Sequence, residues 1–169
     1  MANTYVAIAT VTVGSGGVAN IDFQNIPQTY TDLYVVLSGR TARAAATDSI
    51  YIKFNNNASN YSFRDIDALG TTIESGFYSD YPAARVTADT ATASTFGTWS
   101  AYVPNYTGSN NKSVSLEGVS PNNSGTQYIR ISAGLWSNSA AITRITLISQ
   151  NAQNFLQYST ATLYGIKSS

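Results

Sequence analysis

The chain contains no cysteine and no histidine, and only 11% of its 169 residues are charged. Each shortage excludes a class of chemistry. Without Cys there are no disulfides and no thiol nucleophiles. Without Cys or His there are no common zinc sites and no Ser-His-Asp or Cys-His catalytic groups, so no catalytic, metal or cofactor residue is assigned. The charged fraction is less than half the roughly 25% usual in soluble domains, and nine Lys and Arg balance nine Asp and Glu to a net charge of zero. The basic residues are scattered, so nucleic acid has no electrostatic footprint to bind. No run of 18 apolar residues occurs, and Met1 to Thr10 place no Lys or Arg ahead of an apolar stretch. Neither a membrane span nor a secretory leader is expected. Zero cysteine suits either redox compartment.

What is abundant is hydroxyl, amide and aromatic. Ser, Thr and Asn supply 56 residues, and 12 Tyr outnumber 6 Phe and 2 Trp. A chain of this length reads as one domain, residues 1–169, able to bury roughly 70% of its unfolded surface. A neutral, hydroxyl-rich surface opposes dense packing of copies only weakly, and Tyr serves interfaces and sugar-stacking surfaces as well as core edges.

Apolar residues recur mostly at every second position between Gly, Asn, Ser and Pro clusters, the pattern of short half-buried strands. Val6 and Ile8 alternate, then Val11 and Val13 continue on the opposite parity, which predicts a bulge near Ala9 and Thr10. Gly14-Ser15-Gly16-Gly17 turns the chain toward Ala19, Ile21 and Phe23, predicting an opening hairpin that Pro27 ends. Leu33, Val35 and Leu37 oppose Tyr34 and Val36 in a central strand covered on both faces. Ile50, Ile52 and Phe54 alternate, an Asn-rich turn follows, and Tyr61, Phe63 and Asp65 carry the alternation on. Trp99, Ala101 and Val103 share a face, and a strand over Lys112 to Val119 leads to a turn at Pro121-Asn122-Asn123-Ser124-Gly125. In Tyr128 to Leu135 the alternation turns Ile129, Ile131, Ala133 and Leu135 inward; Ile145 with Leu147 and then Thr160 to Lys167 close the chain. Nine or ten such strands predict an all-β fold, an antiparallel two-sheet β-sandwich of jelly-roll type, with an immunoglobulin-like sandwich as the nearest competitor.

Ser79 to Thr95 shows no sustained period and reads as a long loop, the best place for a partner contact. Tyr78, Tyr81 and Arg85 in or beside it are candidate contacts, as is Tyr106 in the later loop. Asn56 and Asn57 add amides on one further loop, and Asn110 adds one on the same loop as Tyr106. Tyr34, Tyr51, Tyr128, Trp99 and Trp136 fall in strands, where packing is the simpler role. Asp65 and Asp67 with Glu74 form the densest carboxylate group, but no calcium-loop spacing surrounds them and Arg64 offers a plain ion pair. The nine carboxylates sit mostly at turn-like positions, where backbone capping explains them more simply than a glycosidase pair. Five Asn-x-Ser/Thr triplets occur where about four arise by chance in so Ser/Thr-rich a chain, so they say nothing about glycosylation.

Two segments carry a family resemblance. Ile21-Asp22-Phe23-Gln24-Asn25-Ile26-Pro27-Gln28-Thr29-Tyr30-Thr31-Asp32-Leu33 resembles a Phe-x-x-Ile-Pro-x-x-Tyr-x-x-Leu segment of small virion proteins of tailed bacteriophages. Ser159 to Lys167 resembles that family's closing strand, and Ile142 to Leu147 and Asn154-Phe155 fit the same layout. The resemblance is specific in about 40 residues at the two ends. It implies a non-enzymatic β-sandwich that self-assembles, as a homotrimer, on a virion, with other virion proteins such as the major capsid protein as partners. No stalk or trimerising coiled coil precedes residue 1, which favours a small capsid decoration subunit over a complete tail fibre. The alternative is a tail- or fibre-associated protein whose loop Tyr and Asn residues bind a host-surface glycan. Either way the expected location is the virion, after synthesis in the host cytoplasm.

Overall fold

The computed structural model describes residues 4–123 and 127–167, and these are all-β, with no helix among them. Twelve strands follow in chain order: β1 (Tyr5–Thr12), β2 (Asn20–Phe23), β3 (Asp32–Thr41), β4 (Thr47–Phe54), β5 (Tyr61–Leu69) and β6 (Thr72–Tyr78), then β7 (Ala83–Ala88), β8 (Gly97–Val103), β9 (Lys112–Ser120), β10 (Tyr128–Trp136), β11 (Ile145–Ser149) and β12 (Thr160–Ile166). They form one mixed sheet containing two antiparallel runs. The longer is β1-β12-β3-β8-β9-β10-β5-β6 and the shorter is β2-β11-β4-β7. A two-residue parallel pairing, Arg40 with Thr87 and Thr41 with Ala88, joins them at the end of β3.

Much of the strand pattern predicted from alternation is observed. Leu33, Val35, Leu37, Ile50, Ile52 and Phe54 are fully buried, and so are Trp99, Ala101 and Val103. Strand β1 carries its bulge between Ala7 and Ala9, one step before the predicted site. The opening hairpin does not form: β1 pairs with β12 and β2 with β11, so the glycine turn carries the chain from one run to the other. Gly17 has φ +66, and a Cβ there would meet the Phe155 carbonyl at 2.8 Å. Of the turn after β9, Ser124 and Gly125 lie outside the described residues.

The predicted loop from Ser79 to Thr95 is corrected, because it contains β7. The signal is faint because, apart from Arg85, this strand is built of Ala, Val and Thr, and small residues are what its place demands. It lies directly on the inner side of β8, β9 and β10, above Gly97, Gly118 and Gly134. A Cβ at Gly97 would come within 2.6 Å of the Thr87 nitrogen, one at Gly118 would collide with the Arg85 backbone, and one at Gly134 would strike the Pro82 ring. Three glycines on adjacent strands thus form the floor on which one backbone rests. The remainder of the loop is clamped from below: the buried Arg40 guanidinium donates to the carbonyls of Asp89, Ala91, Thr92 and Thr95 at 2.8–3.2 Å. Asp48, fully buried near the parallel junction, accepts from Thr41 on β3 and from Ser149 and Asn151 at the end of β11.

Candidate functional site

Successive side chains of a strand point to opposite faces, so each strand must choose which parity to bury. On β10 the choice is the reverse of the predicted one. Arg130, Ser132, Gly134 and Trp136 are inward, whereas Ile129, Ile131, Ala133 and Leu135 face out, Ile131 with 60% of its surface exposed. The inward set is fixed by partners that no other parity could meet. Trp136 packs on Phe54 and Tyr61 at ring separations of 5.7 and 5.9 Å, Gly134 makes room for Pro82, and the Ser132 hydroxyl donates to the Ala83 carbonyl at 2.6 Å.

The same inversion runs through the neighbouring strands. Asp65 and Asp67 of β5 face inward, and Ile66 between them faces out. In register, Ile66 lies beside Ile131, Ala68 beside both Ile129 and Ile73, and Arg64 beside both Ala133 and Phe77. Val119 of β9 lies beside Ile129, and Glu117 beside Ile131. The outer face of β9-β10-β5-β6 is therefore a continuous aliphatic surface, with Ile73 75% exposed, and it contains an apolar recess lined by Arg64, Ile66, Ser75, Ile131 and Ala133. Its only charges among the described strand residues are Arg64 and Glu117. The Arg64 guanidinium sits 5.7 Å from the Phe77 ring centre, and Glu117 accepts from the Ser100 hydroxyl at 2.9 Å.

Beneath this face the inward side of the same strands carries Tyr61, Val114, Leu116 and Trp136 of the core and, next to them, a buried ionic group. The Arg130 guanidinium bonds the Asp67 carboxylate and lies 3.2 Å from Asp65, while Arg85 of β7 reaches the same Asp67 oxygen at 2.7 Å. Burial opposes ionisation of Asp67, but the hydrogen bonds and charges of Arg130 and Arg85 outweigh it and hold its carboxyl below the usual carboxylate value. The predicted Arg64 pairing with these carboxylates is corrected, because Arg64 lies on the opposite face. Among the described residues no three Asp or Glu side chains converge as a metal site would require.

A cavity of about 200 Å³ opens beside this ionic group, where Ser49, Tyr51, Asp80, Gln150, Tyr78 and Arg85 contribute to its wall. Tyr51 donates to Asp80 at 2.6 Å; burial first, and then the Asp80 carboxylate, raise the Tyr51 pKa well above its ordinary value. Tyr78 stacks on Phe63 at 4.7 Å between ring centres.

Of the candidate contacts, the structure gathers Tyr78 and Arg85 at this cavity, with Tyr81 beside them at 5.5 Å from Tyr51. Arg85 also lies 4.8 Å from the Tyr128 ring centre. Asn56 and Asn57 are elsewhere, in the turn after β4; Asn57 accepts from the Ser59 amide and shapes that turn. Asn110 is exposed, and its carbonyl accepts from the buried Lys112 ammonium, which also takes the Gly108 carbonyl. Tyr106 is corrected: it is fully buried, with its hydroxyl on the Pro27 carbonyl, so its ring packs the core and is not offered to a partner. The residues missed from sequence are the outward ones, Ile66, Ile73, Phe77, Ile129 and Ile131. The available signal was the opposite parity, since Asp65 and Asp67 on one strand and Arg130 on the next supply a matched set of charges for one face.

Comparison with protein-family models, curated proteins and solved structures finds no match to this chain.

Proposed function

We propose that this protein is a non-enzymatic structural subunit that works by adhesion, assembling as a homo-oligomer and decorating the capsid of a tailed bacteriophage. The observation that carries the reading is the exposed aliphatic face of β9-β10-β5-β6, because large contiguous apolar surface on a folded domain marks a protein contact. The phage setting and the major capsid protein as second partner rest on the two end segments and their family resemblance. The non-enzymatic part is supported by how the carboxylates are spent. Asp22 holds Arg144 and Thr146, Asp32 the Asn105 amide and Tyr102 hydroxyl, and Asp48, Asp65, Asp67 and Asp80 hold the partners described above. A jelly-roll-like sandwich belongs to the same proposal; the laying of β7 on the inner side of β8, β9 and β10 supports two stacked layers.

Light scattering on the purified chain tests the adhesion reading. A mass that is a multiple of 18.0 kDa, collapsing to 18.0 kDa in Ile66→Asp/Ile131→Asp, is expected. A wild-type monomer at every concentration contradicts it. Co-sedimentation with emptied phage heads tests the capsid partner, and binding to tails alone contradicts decoration.

The glycan reading gains one specific observation, the small cavity where Tyr78 meets Asp80, Gln150 and Arg85, an aromatic ring beside groups that bond hydroxyls. It predicts that labelled protein binds host cells and that Tyr78→Ala abolishes the binding; undiminished binding by that variant contradicts a site at this cavity.

A further inference from the structure

The adhesion reading leaves open what covers the aliphatic face, and resting on that reading we infer that the cover is the same face of a second copy. The two copies are related by a two-fold axis running along β10, with Arg64 of each copy set against Glu117 of the other.

Area gives the first argument. Seven large apolar residues project from the face: Ile66, Ile73 and Phe77, together with Val119, Ile129, Ile131 and Leu135. Their fractional exposures amount to roughly 700 Å² of apolar surface, above the few hundred Å² usual on a monomer and close to the roughly 800 Å² each partner contributes to a standard stable interface.

Charge gives the second. A surface that recognises itself about a dyad must be self-complementary, each residue off the axis meeting a different residue that meets it in return. The face carries one cation and one anion, Arg64 and Glu117, and neither forms an ion pair among the described residues. Two Arg or two Glu would repel across such an axis; one of each satisfies it twice.

Register gives the third, and fixes where the axis runs. Strand β10 lies between β5 and β9, so an axis along β10 exchanges those two strands and lays β6, with Ile73 and Phe77, over the partner copy's β8 at the margin of the contact. Arg64 lies level with Ala133 and Ser115, and Glu117 level with Ile131 and Ile66. Rotation about an axis parallel to the strands preserves height along them, so each Arg64 comes to lie over the partner copy's β9, two residues or about 7 Å along the strand from that copy's Glu117. An arginine side chain spans that offset. Ile129 and Ile131 then meet their own symmetry mates on the axis, giving the contact an apolar centre with a polar edge.

The absence of cysteine makes the test clean. Stacked sheets lie about 10 Å apart, beyond disulfide reach, so Ile131→Cys is treated with a short bis-maleimide, with Thr162→Cys on the far half of the sheet as control. A covalent dimer from Ile131→Cys and none from Thr162→Cys is expected. In sedimentation equilibrium, Arg64→Glu or Glu117→Arg alone weakens association about tenfold, and the two together restore it to within about threefold of wild type. Circular dichroism confirms that these exposed substitutions leave the fold intact. A stable oligomer with no rescue by the double variant, or a trimer with no cross-link at position 131, overturns the two-fold arrangement and leaves the adhesion reading standing. A wild-type chain that is monomeric throughout overturns both.

Discussion

The outer surface of the long strand run has two halves that obey the same alternation and present opposite chemistry. On β8-β3-β12-β1 the outward side chains are mostly Tyr, Thr and Ser, with Val36 and Ile166 among them, and many of the hydroxyls and rings satisfy one another. Tyr5 meets Tyr34 and Tyr164 edge-on at 6.1 and 6.4 Å, Thr10 and Thr162 share a hydrogen bond of 3.0 Å, and the Tyr102 hydroxyl donates to Asp32 at 2.8 Å. On β9-β10-β5-β6 the outward side chains are mostly apolar, with Ser62, Arg64, Ser75, Ser113, Ser115 and Glu117 as their polar neighbours. The inner sides differ in the reverse sense. Beneath the Tyr and Thr half lie Leu33, Val35, Leu37, Ala161 and Leu163 of the main core, whereas beneath the aliphatic half that core, through Tyr61, Val114, Leu116 and Trp136, gives way to the buried ion pairs of Arg130, Asp65, Asp67 and Arg85. The difference teaches that burial in this protein is decided at two levels. The first half finishes its core within one chain and meets water with hydroxyls; the second fastens part of its inner side by charge and leaves its apolar side for another molecule.

The comparison breaks most visibly at the ionic inner side. Arg130→Met leaves Asp65 and Asp67 buried without their main cation and costs about 3–5 kcal/mol at pH 7, read from urea unfolding. This cost depends on pH in a definite direction. Because the Asp67 pKa is lower folded than unfolded, its contribution to stability is complete above pH ~4 and is lost as pH falls through the folded value. The gap between wild type and Arg130→Met therefore narrows on acidification from pH 7 to pH 3. A gap that widens contradicts the assignment.

Gly118→Val comes next. Its new side chain must displace the Arg85 backbone, and a loss of about 2–3 kcal/mol is expected, against a negligible loss for Gly14→Ala, which has open space around it. Ile131→Asp on the aliphatic half changes the stability of the isolated subunit by no more than about 0.5 kcal/mol but dissociates the oligomer. Thr162→Val on the hydroxyl half has the smallest effect: it gives up the Thr10 bond for at most about 0.5 kcal/mol and leaves the mass of the assembly unchanged.

How much was legible in the sequence follows the same division. Where the apolar parity and the buried parity coincide, as in β3, β4 and β8, alternation alone located the strands and their inward residues. In β10 both parities were informative, and the apolar one was misleading, because the partners that draw Arg130 and Trp136 inward come from β5, β7 and the end of β4, far away in sequence. Strand β7 was invisible since its small side chains answer to glycines on three other strands, and β6 because an edge strand with an exposed outer face has no buried alternation to show. Tyr106 does lie in a turn, as its Pro-Asn-Tyr-Thr-Gly context indicates, but it is buried there, and the Pro27 carbonyl that anchors it lies 79 positions earlier.

The contrast between the two halves is open to one direct measurement, hydroxyl-radical footprinting of the assembled protein in solution. Phe77 and Leu135, 61% and 38% exposed on a single chain, should be protected while Tyr5 and Tyr158, at 56% and 69%, are modified freely. Modification of Phe77 and Leu135 at the rate of those tyrosines would mean that nothing covers the aliphatic half, and the account of this protein as an adhesive subunit would fail.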